Sequence, residues 1–342
     1  MKRVVLVGNP TAQSGANAQR IDRATALLRQ RGLACEVFAT LPGGRTVPAL
    51  QAALAASPPD LVVAMGGDGT FREVGAALLA SGVKERVAMG MLPTGTANDQ
   101  GKSFGLSAGE SALEANVDVV AAGHEARLDA VHVTYLHLDG AETGRAVLFD
   151  SIGWGFSARV LLERNLDRGV LEQLGPLKHL YRDHMVYAGA MARVFMDSFV
   201  RDQTFDVTLT VDGVTHRHEG LTDLVVKNTR IYAGAWVLDR ASRPDDGVVE
   251  LMPFRNQADW VAKAIVDHDG NPLPEALRDP GGWVKSDVLR GSTIELAFSG
   301  AVLPLAQIDG EEADPSPRAR VVVEPRALRL VVPQAHATTA TT

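Results

Sequence analysis

The chain has 342 residues, of which 46% are hydrophobic and 22% charged, a composition typical of globular proteins with apolar material for two ordinary domains. The 41 acidic residues outnumber the 34 basic ones, and the formal net charge of −7 argues against a nucleic-acid partner, because such proteins present a basic face. The single cysteine excludes an intramolecular disulfide and a cysteine-based zinc site.

The first 125 or so residues alternate between short apolar runs and segments with helical spacing of apolar residues. The runs predict strands at 4–7, 37–39, 61–65 and 87–92, and the spacing predicts helices at 16–30, 47–56, 71–79 and 110–122. Such an alternation predicts a parallel sheet covered by helices on both faces. Because a strand begins directly after Arg3 and no apolar run could span a bilayer, we expect a cytoplasmic protein without a signal peptide.

Three of these strands end in small, polar, glycine-rich loops, at 8–15, 66–70 and 93–99. In a parallel α/β sheet such loops converge at the carboxyl edge, where ligands bind. The glycines let bare backbone N–H groups approach a phosphate, and a helix start behind the loop favours an anion. Asp68 inside the second loop would repel a phosphate unless a metal or a proton donor lies beside it. The loops therefore indicate Mg²⁺–nucleotide chemistry, and a plain Asp-Gly turn between two structural elements is the competing interpretation of 66–70.

From about residue 127 the pattern changes to strands separated by Asp-Gly and glycine-rich turns. Strands are predicted at 127–138, 146–152, 204–211, 215–226, 248–252 and 293–298, and 321–332 predicts a closing strand pair. An apolar helical insert is predicted at 158–200 and a helix at 257–268. We therefore predict an α/β nucleotide-binding domain at 1–126 and an antiparallel β-sandwich acceptor domain at 127–314. The tail, about 315–335, is expected to return to the first domain.

Four motifs stand in a fixed order along the chain. NPTAQSG lies at 9–15, GGDGTFREV at 66–74, PTGTANDQGKSFG at 93–105 and IDGE at 308–311, and a further pattern follows at 228–250. Together they resemble the ordered signature of the diacylglycerol kinase catalytic-domain family, which includes bacterial diacylglycerol kinases, similar lipid kinases, and the ceramide and sphingosine kinases. The resemblance covers nearly the whole chain.

The resemblance implies an ATP- and Mg²⁺-dependent lipid kinase with its active site in the cleft between the domains. It would transfer the γ-phosphoryl group to the primary hydroxyl of a membrane lipid. Diacylglycerol is the acceptor we expect first, and ceramide or a sphingoid base is the alternative. An NAD kinase and a non-catalytic nucleotide-binding regulator are less favoured, because 93–99 and 308–311 fit an NAD kinase poorly and a regulator needs no catalytic base.

The glycine loops supply candidate groups for positioning the nucleotide phosphates. These candidates are glycines or polar residues in the loops that follow the strands: Asn9, Ser14, Gly66, Gly67, Gly69, Thr70, Gly95, Thr96, Asn98 and Asp99. The resemblance adds Thr40, which follows the predicted strand at 37–39.

Glu311 is our candidate for the base that deprotonates the acceptor hydroxyl, a role that the resemblance implies. Gly310, between Asp309 and Glu311, allows a sharp turn that aims both carboxylates the same way, so Asp309 is a second catalytic candidate. Asp68 is the rival base and otherwise a group that organises Mg²⁺. A plain Asp-Gly turn with a solvated acidic patch is the competing interpretation of 308–314.

The resemblance also implies a structural Mg²⁺ bound by Asp246 and by the backbone carbonyls of Arg243 and Val248, for which a plain type I turn is the alternative. We expect peripheral contact with the inner membrane surface through the helical insert, where Met191 and Phe195 are candidate docking residues. Core packing is the competing interpretation of this apolar stripe. A homodimer is left open.

Two positions depart from the family pattern. Arg72 stands where the pattern usually has Asn, and Gln100-Gly101-Lys102 stands where it usually has an aromatic residue followed by Ala-Arg. Both lie near the expected phosphate and acceptor region, so they bear on the identity of the substrate more than on the chemistry.

Overall fold

A computed structural model describes residues 1–12, 16–95, 97–162, 204–234, 236–267, 287–300 and 302–337 of the chain. The described residues form two compact units. The first unit consists of the described residues within Met1–Ala130, Pro244–Gly247 and Glu324–Thr342, and the second of those within Val131–Arg243 and Val248–Val323. Within the described part of the chain, no helix is both long and apolar enough to cross a bilayer.

The first unit is built on a parallel sheet. Its strands lie in the order β2-β1-β3-β4, and the last part of β18 continues this order beside β4. The register pairs Val4 with Leu61 and Val62 with Met89, and Leu330 of β18 with Met89. The bounds are β1 Arg3–Gly8, β2 Ala34–Ala39, β3 Leu61–Gly66, β4 Ala88–Pro93 and β18 Arg318–Val331.

Five helices accompany this sheet: α1 Ala16–Gln30, α2 Thr46–Ala56, α3 Asp68–Ala80, α4 Asp99–Ser103 and α5 Leu113–Ala122. Leu61, Val63 and Met65 of β3 pack in one core with residues of α1 and α5. The alternate residues Val62 and Ala64 are buried too, and α3 packs on β3. Every side chain of β3 before Gly66 is therefore buried, as the continuous apolar run indicates. The predicted sheet covered on both faces is confirmed.

The second unit holds two layers of mainly antiparallel strands. One layer has the order β18-β15-β8-β9, with β5 paired to β18 and to β6, and the other has the order β14-β13-β10-β7-β16-β17. Their inward residues form one apolar core, as expected for a β-sandwich. The bounds are β5 Glu125–Leu136, β6 Glu142–Leu148, β7 Ser151–Gly155, β8 Phe205–Val211, β9 Val214–Leu221, β10 Asp223–Lys227, β13 Val249–Phe254, β14 Leu289–Gly291, β15 Thr293–Ser299, β16 Ala306–Ile308 and β17 Glu311–Ala313.

Two smaller features complete the second unit. A two-stranded ribbon pairs β11 Ile231–Tyr232 with β12 Trp236–Val237, and helix α6 spans Gln257–Val266. Helical residues also begin at 156 and continue to 162. The rest of the predicted insert at 158–200, including Met191 and Phe195, lies outside the described residues.

Three strand predictions are wrong, two of them in the same way. The run at 146–152 is split between β6 and β7, and the run at 215–226 is split at Thr222 between β9 and β10, because the chain changes from one layer to the other at both places. At the second of these places, the amide of Thr222 donates to the carbonyl of Phe254, the last residue of β13. The predicted strand pair at 321–332 is instead part of the single strand β18.

Asp223 is a buried carboxylic acid in the second unit, only 1% exposed at the start of β10. Its Oδ1 accepts hydrogen bonds from the backbone amide of Ser157, at 3.1 Å, and from the hydroxyl of Ser157, at 2.8 Å. Burial raises the pKa of Asp223 to about 7, and the hydrogen bonds from Ser157 only partly oppose this. The folded protein therefore holds this proton over a range in which the unfolded chain has released it.

We expect this carboxyl to make the fold less stable as the pH rises. Between about pH 4 and pH 7 the unfolded chain binds fewer protons at this position than the folded one, so the free energy of unfolding falls with rising pH. Asp223→Asn removes the titration. The measurement is the free energy of unfolding in urea at about pH 5 and at about pH 8. From the lower to the higher pH, it should fall by up to about 3 kcal/mol more in the wild type than in the variant. Parallel pH profiles for the two proteins would contradict this.

Candidate functional site

Two loops of the first unit touch backbone to backbone at the carboxyl edge of its sheet. We call residues 66–70 and 93–98 the paired glycine loops. A Cβ atom on Gly95 would lie 2.5 Å from the Cα of Gly67, and one on Gly66 would lie 2.3 Å from Oγ1 of Thr70. Neither distance is tolerated by a side chain, so the contact between the loops requires glycine at position 95, and the packing of Thr70 within its own loop requires glycine at position 66. This explains why glycines cluster after both strands.

Hydrogen bonds join the two loops and hold Asp68. The amide of Thr94 donates to the carbonyl of Gly66 at 2.8 Å. The amide of Asn98 donates to Oδ2 of Asp68 at 2.9 Å. The second loop therefore fixes the carboxylate of the first, 30 residues away along the chain.

Asn98 shapes its own loop. It adopts the left-handed conformation, with φ +54°, which asparagine tolerates better than most residues. Its Oδ1 accepts from the amide of Gly95 at 3.0 Å, and its Nδ2 donates to the carbonyl of Gly95 at 2.6 Å. Both ends of the carboxamide are thus engaged within the loop, which supports a loop-shaping role for Asn98. The neighbouring candidate Thr96 lies outside the described residues.

Asp68 is also the first residue of α3, and Gly69 and Thr70 complete the opening of that helix. Gly67, as the N-cap, has no side chain to satisfy the first amides. A helix start carries a partial positive charge, which stabilises a carboxylate or a bound anion there. Asp99 opens the short helix α4 in the same way and is buried.

The first loop reaches the same sheet edge. Gly8 of β1 is in register with Met65 of β3 and with Ala39 of β2, so Asn9 and Thr40 follow strands that end level with β3. The amide of Thr40 donates to the carbonyl of Gly8 at 3.0 Å. The sheet order thus places both residues at the edge that carries the paired glycine loops. The candidate Ser14 lies outside the described residues.

Asn9 is ordered by its neighbours. Its Oδ1 accepts from the amide of Thr11 at 3.0 Å and from the hydroxyl of Thr11 at 2.8 Å. Asn17, at the start of α1, donates from Nδ2 to the carbonyl of Asn9 at 2.6 Å. The side chain of Asn9 thus forms a local turn that directs the chain toward α1.

In the second unit, Asp309 anchors the turn that precedes Glu311. Oδ1 of Asp309 accepts from the amides of Asp150 and Ser151, each at 2.9 Å, and Oδ2 accepts from the amide of Phe149 at 3.0 Å. Asp309 is 1% exposed. Three backbone hydrogen bonds to one buried carboxylate support a positioning role for Asp309 rather than direct contact with a substrate.

Glu311 lies just beyond this anchor. Asp309 and Gly310 both have positive φ, +45° and +75°, and form a tight turn between β16 and β17. Glu311 is the first residue of β17, and it is exposed. The anchored turn therefore presents the Glu311 carboxylate from a fixed backbone.

One of the residues whose amide binds Asp309, Asp150, also forms a buried ion pair with Lys227. Nζ of Lys227 is 2.6 Å from Oδ1 of Asp150, and both side chains are at most 3% exposed. Lys227 also donates to the carbonyl of Ile231 at 2.6 Å, and the hydroxyl of Ser151 donates to Oδ2 of Asp150. In the sequence, this network is signalled only by a lysine that ends the apolar run 224–226.

The turn Pro244–Gly247 belongs to the first unit and contains Asp246, the predicted Mg²⁺ ligand. The amide of Gly247 donates to Oδ2 of Asp129 at 2.7 Å, and the amide of Arg326 donates to Oδ1 at 2.5 Å. Burial raises the pKa of Asp129 to about 6, and the charges of Asp246 and Asp245 raise it further against these two hydrogen bonds. The structure thus adds an acidic residue, Asp129, that sequence analysis did not connect with this turn.

The donor types at this turn fit a hard cation. Asp246 offers carboxylate oxygens, and Arg243 and Val248, which flank the turn, offer backbone carbonyls. Neither at this turn nor elsewhere do three His, Cys, Asp or Glu side chains of the described residues come together as a metal site. An ion at this turn would therefore depend on backbone carbonyls as well as on Asp246, as the sequence-based prediction requires.

Comparison with known proteins identifies relatives of the chain. Residues 3–133 match the family model described as the diacylglycerol kinase catalytic domain. A Salmonella gallinarum protein named "Probable lipid kinase YegS" is 33% identical over 271 residues, which cover 78% of this chain and 80% of that protein. The "Diacylglycerol kinase" of Staphylococcus epidermidis is 31% identical over 131 residues, 37% of this chain and 39% of that protein.

Other matches are partial in length or limited to the fold. A Klebsiella pneumoniae protein named "Probable lipid kinase YegS-like" is 41% identical over 92 residues, and the chain spans 30% of its length. The crystal structure of a diacylglycerol kinase from Bacillus anthracis superposes with a TM-score of 0.68, covers 98% of both chains, and is 17% identical. At that identity the structural likeness shows the fold alone.

The contact between the paired glycine loops leads to a stability prediction. Gly95→Ala should lower the free energy of unfolding by roughly 1–3 kcal/mol, because its methyl group must displace the backbone of Gly67. The matched control is Gly90→Ala in β4, where the nearest atom to a new Cβ, on Val63, would be 3.4 Å away. Chemical unfolding of both variants checks this. Equal effects of the two substitutions would show that the loops are not held in contact.

Proposed function

Since the chain belongs to the diacylglycerol kinase family, we propose that it transfers the γ-phosphoryl group of ATP to the primary hydroxyl of a membrane lipid. The observation that carries the proposal is the Asp68 carboxylate, held by the amide of Asn98 between two touching glycine loops. The transfer of a phosphoryl group from ATP needs phosphate positioning, a divalent metal, and a carboxylate to accept the hydroxyl proton. Each requirement has a candidate in this chain.

Phosphate positioning falls to the loops at the carboxyl edge of the first unit. Their backbone amides and the start of α3 favour the negative charge of a nucleotide. The proposed nucleotide-binding residues are those singled out in the sequence: Asn9, Ser14, Thr40, Gly66, Gly67, Gly69, Thr70, Gly95, Thr96, Asn98 and Asp99. Asn98 contributes through loop shape, since its carboxamide is engaged with Gly95.

Mg²⁺ enters the proposal in two places. Asp68 is the candidate for organising the metal that accompanies the nucleotide, and Asp246 with the carbonyls of Arg243 and Val248 is the candidate for a structural ion. When bound to the nucleotide, such an ion would offset the charge of the phosphates. The residues at both places offer the oxygen ligands that Mg²⁺ prefers.

Glu311 is the proposed base, and Asp309 is proposed as the residue that positions it. The three amide hydrogen bonds to Asp309 fix the turn, and Glu311 follows it exposed. In this proposal Glu311 accepts the proton of the attacking hydroxyl as the oxygen bonds to the γ-phosphorus and ADP leaves. Asp68 stays the rival for this role.

Diacylglycerol is the proposed acceptor, because the family model and the Staphylococcus relative carry its name. Ceramide or a sphingoid base is the alternative, since the same motifs resemble those kinases. A lipid acceptor would require peripheral contact with a membrane surface, which belongs to the proposal as well.

Asp68→Asn tests the central assignment. The amide keeps the size of the side chain but removes its charge, so turnover should fall by about 10²-fold or more while the unfolding temperature stays close to that of the wild type. The matched control is Asp22→Asn, an exposed carboxylate of α1, which should leave turnover unchanged. Wild-type turnover in Asp68→Asn would refute the assignment.

Glu311→Gln separates a base from a binding residue. We expect kcat to fall by about 10²-fold with the KM for ATP unchanged, because only the proton transfer is lost. Glu312→Gln, the exposed neighbour in β17, is the control and should behave as the wild type. A raised KM with kcat preserved would make Glu311 a binding residue instead.

Phosphorylation of a panel of acceptors by labelled ATP tests the substrate class. Diacylglycerol, ceramide and sphingosine are presented in mixed micelles, and NAD is added in solution. Label in diacylglycerol supports the proposal, and label in ceramide or sphingosine favours the alternative. Label in NAD alone contradicts it, and ATP binding without any turnover indicates a regulator.

A further inference from the structure

A small cavity lies in the first unit between strands β3 and β4 and helices α3 and α4. It has room for about one water molecule. The residues that line it include the glycines Gly66 and Gly67, the apolar residues Phe71 and Met91, and the polar residues Asp68 and Gln100. The cavity thus adjoins the paired glycine loops at the residue on which the proposed chemistry depends.

Gln100 is the unexplained residue of this cavity. It is 1% exposed, and neither Oε1 nor Nε2 of its carboxamide has a hydrogen-bond partner among the residues that the structure describes. A buried carboxamide without partners is strongly disfavoured, and such groups in folded proteins are almost always paired with protein or with water. Within the described part of the chain the Gln100 carboxamide thus lacks the partner that a buried amide needs, and a small bound molecule can supply it.

The residues that line the cavity limit which ligand can pair with the Gln100 carboxamide. The carboxamide of Asn98, another residue that lines the cavity, is already engaged with Gly95, and the side chains of Phe71 and Met91 offer at most a weak thioether acceptor. The carboxylate of Asp68 disfavours an anion in so small a space. A water molecule fits in size, and it can donate to Oε1 and to a carboxylate while it accepts from Nε2.

We propose that this cavity binds one ordered water molecule between the Gln100 carboxamide and Asp68, and that Gln100 is thereby a positioning residue for Asp68. The consequence for turnover rests on the proposed function, whereas the water site itself does not. The amide of Asn98 restrains Oδ2 of Asp68 from one direction. The water restrains the same carboxylate from the side of α4.

The sequence of α4 agrees with a site particular to this chain. Position 100 is aromatic in the family pattern that the chain resembles, and an aromatic ring would fill the cavity with apolar atoms. Here α4 also packs tightly on β4: a Cβ on Gly101 would lie 2.7 Å from Cγ of Pro93. The glycine brings the helix close, and the glutamine leaves both space and polar atoms.

The direct test is a high-resolution crystal structure of the full chain without nucleotide. We expect electron density for one water within hydrogen-bond distance of the Gln100 carboxamide and of Asp68. A dry cavity, or a Gln100 side chain turned to a partner in the protein, would overturn the proposal. This result does not depend on enzymatic activity, so it stands even if every acceptor in the panel fails.

Kinetics test the positioning role. Gln100→Leu removes both polar atoms at similar size, and it should lower kcat about tenfold with the KM for ATP within about twofold of the wild type. Met91→Leu alters the same cavity without polar atoms, and it should keep both the water and kcat. Equal losses in the two variants, or a raised KM with kcat preserved, would overturn the role. If Gln100→Leu fails to fold, Gln100→Phe, the aromatic residue of the family pattern, gives the same comparison.

Discussion

The contact between the backbones of Gly67 and Gly95 is the constraint on which the rest of the site depends. Two parallel strands, β3 and β4, end side by side, and their loops approach too closely for any side chain at position 95. Because the loops touch, the amide of Asn98 reaches the carboxylate of Asp68. The position of the Asp68 charge in the proposed phosphate site is thus set by the packing of two backbones. A residue with a side chain at position 95 would prevent that packing.

In the second unit, a buried carboxylate fixes the backbone near the other proposed catalytic residue, Glu311. Asp309 gathers three successive amides at the point where the chain passes from β6 to β7, and Lys227 pairs with Asp150 immediately behind. Removing one member of such a network leaves uncompensated buried groups, which costs far more than a surface pair. The turn that carries Glu311 is therefore held by interactions that are costly to break, as a proposed catalytic carboxylate requires.

Local signals predicted the part of the fold that depends on local physics. The helix predicted at 16–30 begins and ends at those residues, and the apolar run at 61–65 is a fully buried strand. The family, the kinase class and the two fold types are confirmed. The paired loops were predicted as glycine-rich phosphate loops, whereas their mutual contact depends on strand order, which a single loop does not encode.

What the sequence did not predict depends on partners far apart in the chain. Asp309 binds amides about 160 residues away, Lys227 meets Asp150 across 77 residues, and Asp129 meets the amide of Arg326 across 197. Helix α4, with five residues, is too short for periodicity to reveal. Gln100 stood out only as a departure from a family pattern, and the fold shows its carboxamide buried and without a partner among the described residues.

The central claim is that the paired glycine loops hold the nucleotide phosphates beside Asp68. A crystal structure of the full chain with Mg²⁺ and a non-hydrolysable ATP analogue tests it most directly. The account predicts phosphate oxygens within hydrogen-bond distance of backbone amides in 66–70, with the metal on the side of Asp68. An analogue bound elsewhere on the protein, with these loops vacant, would contradict it.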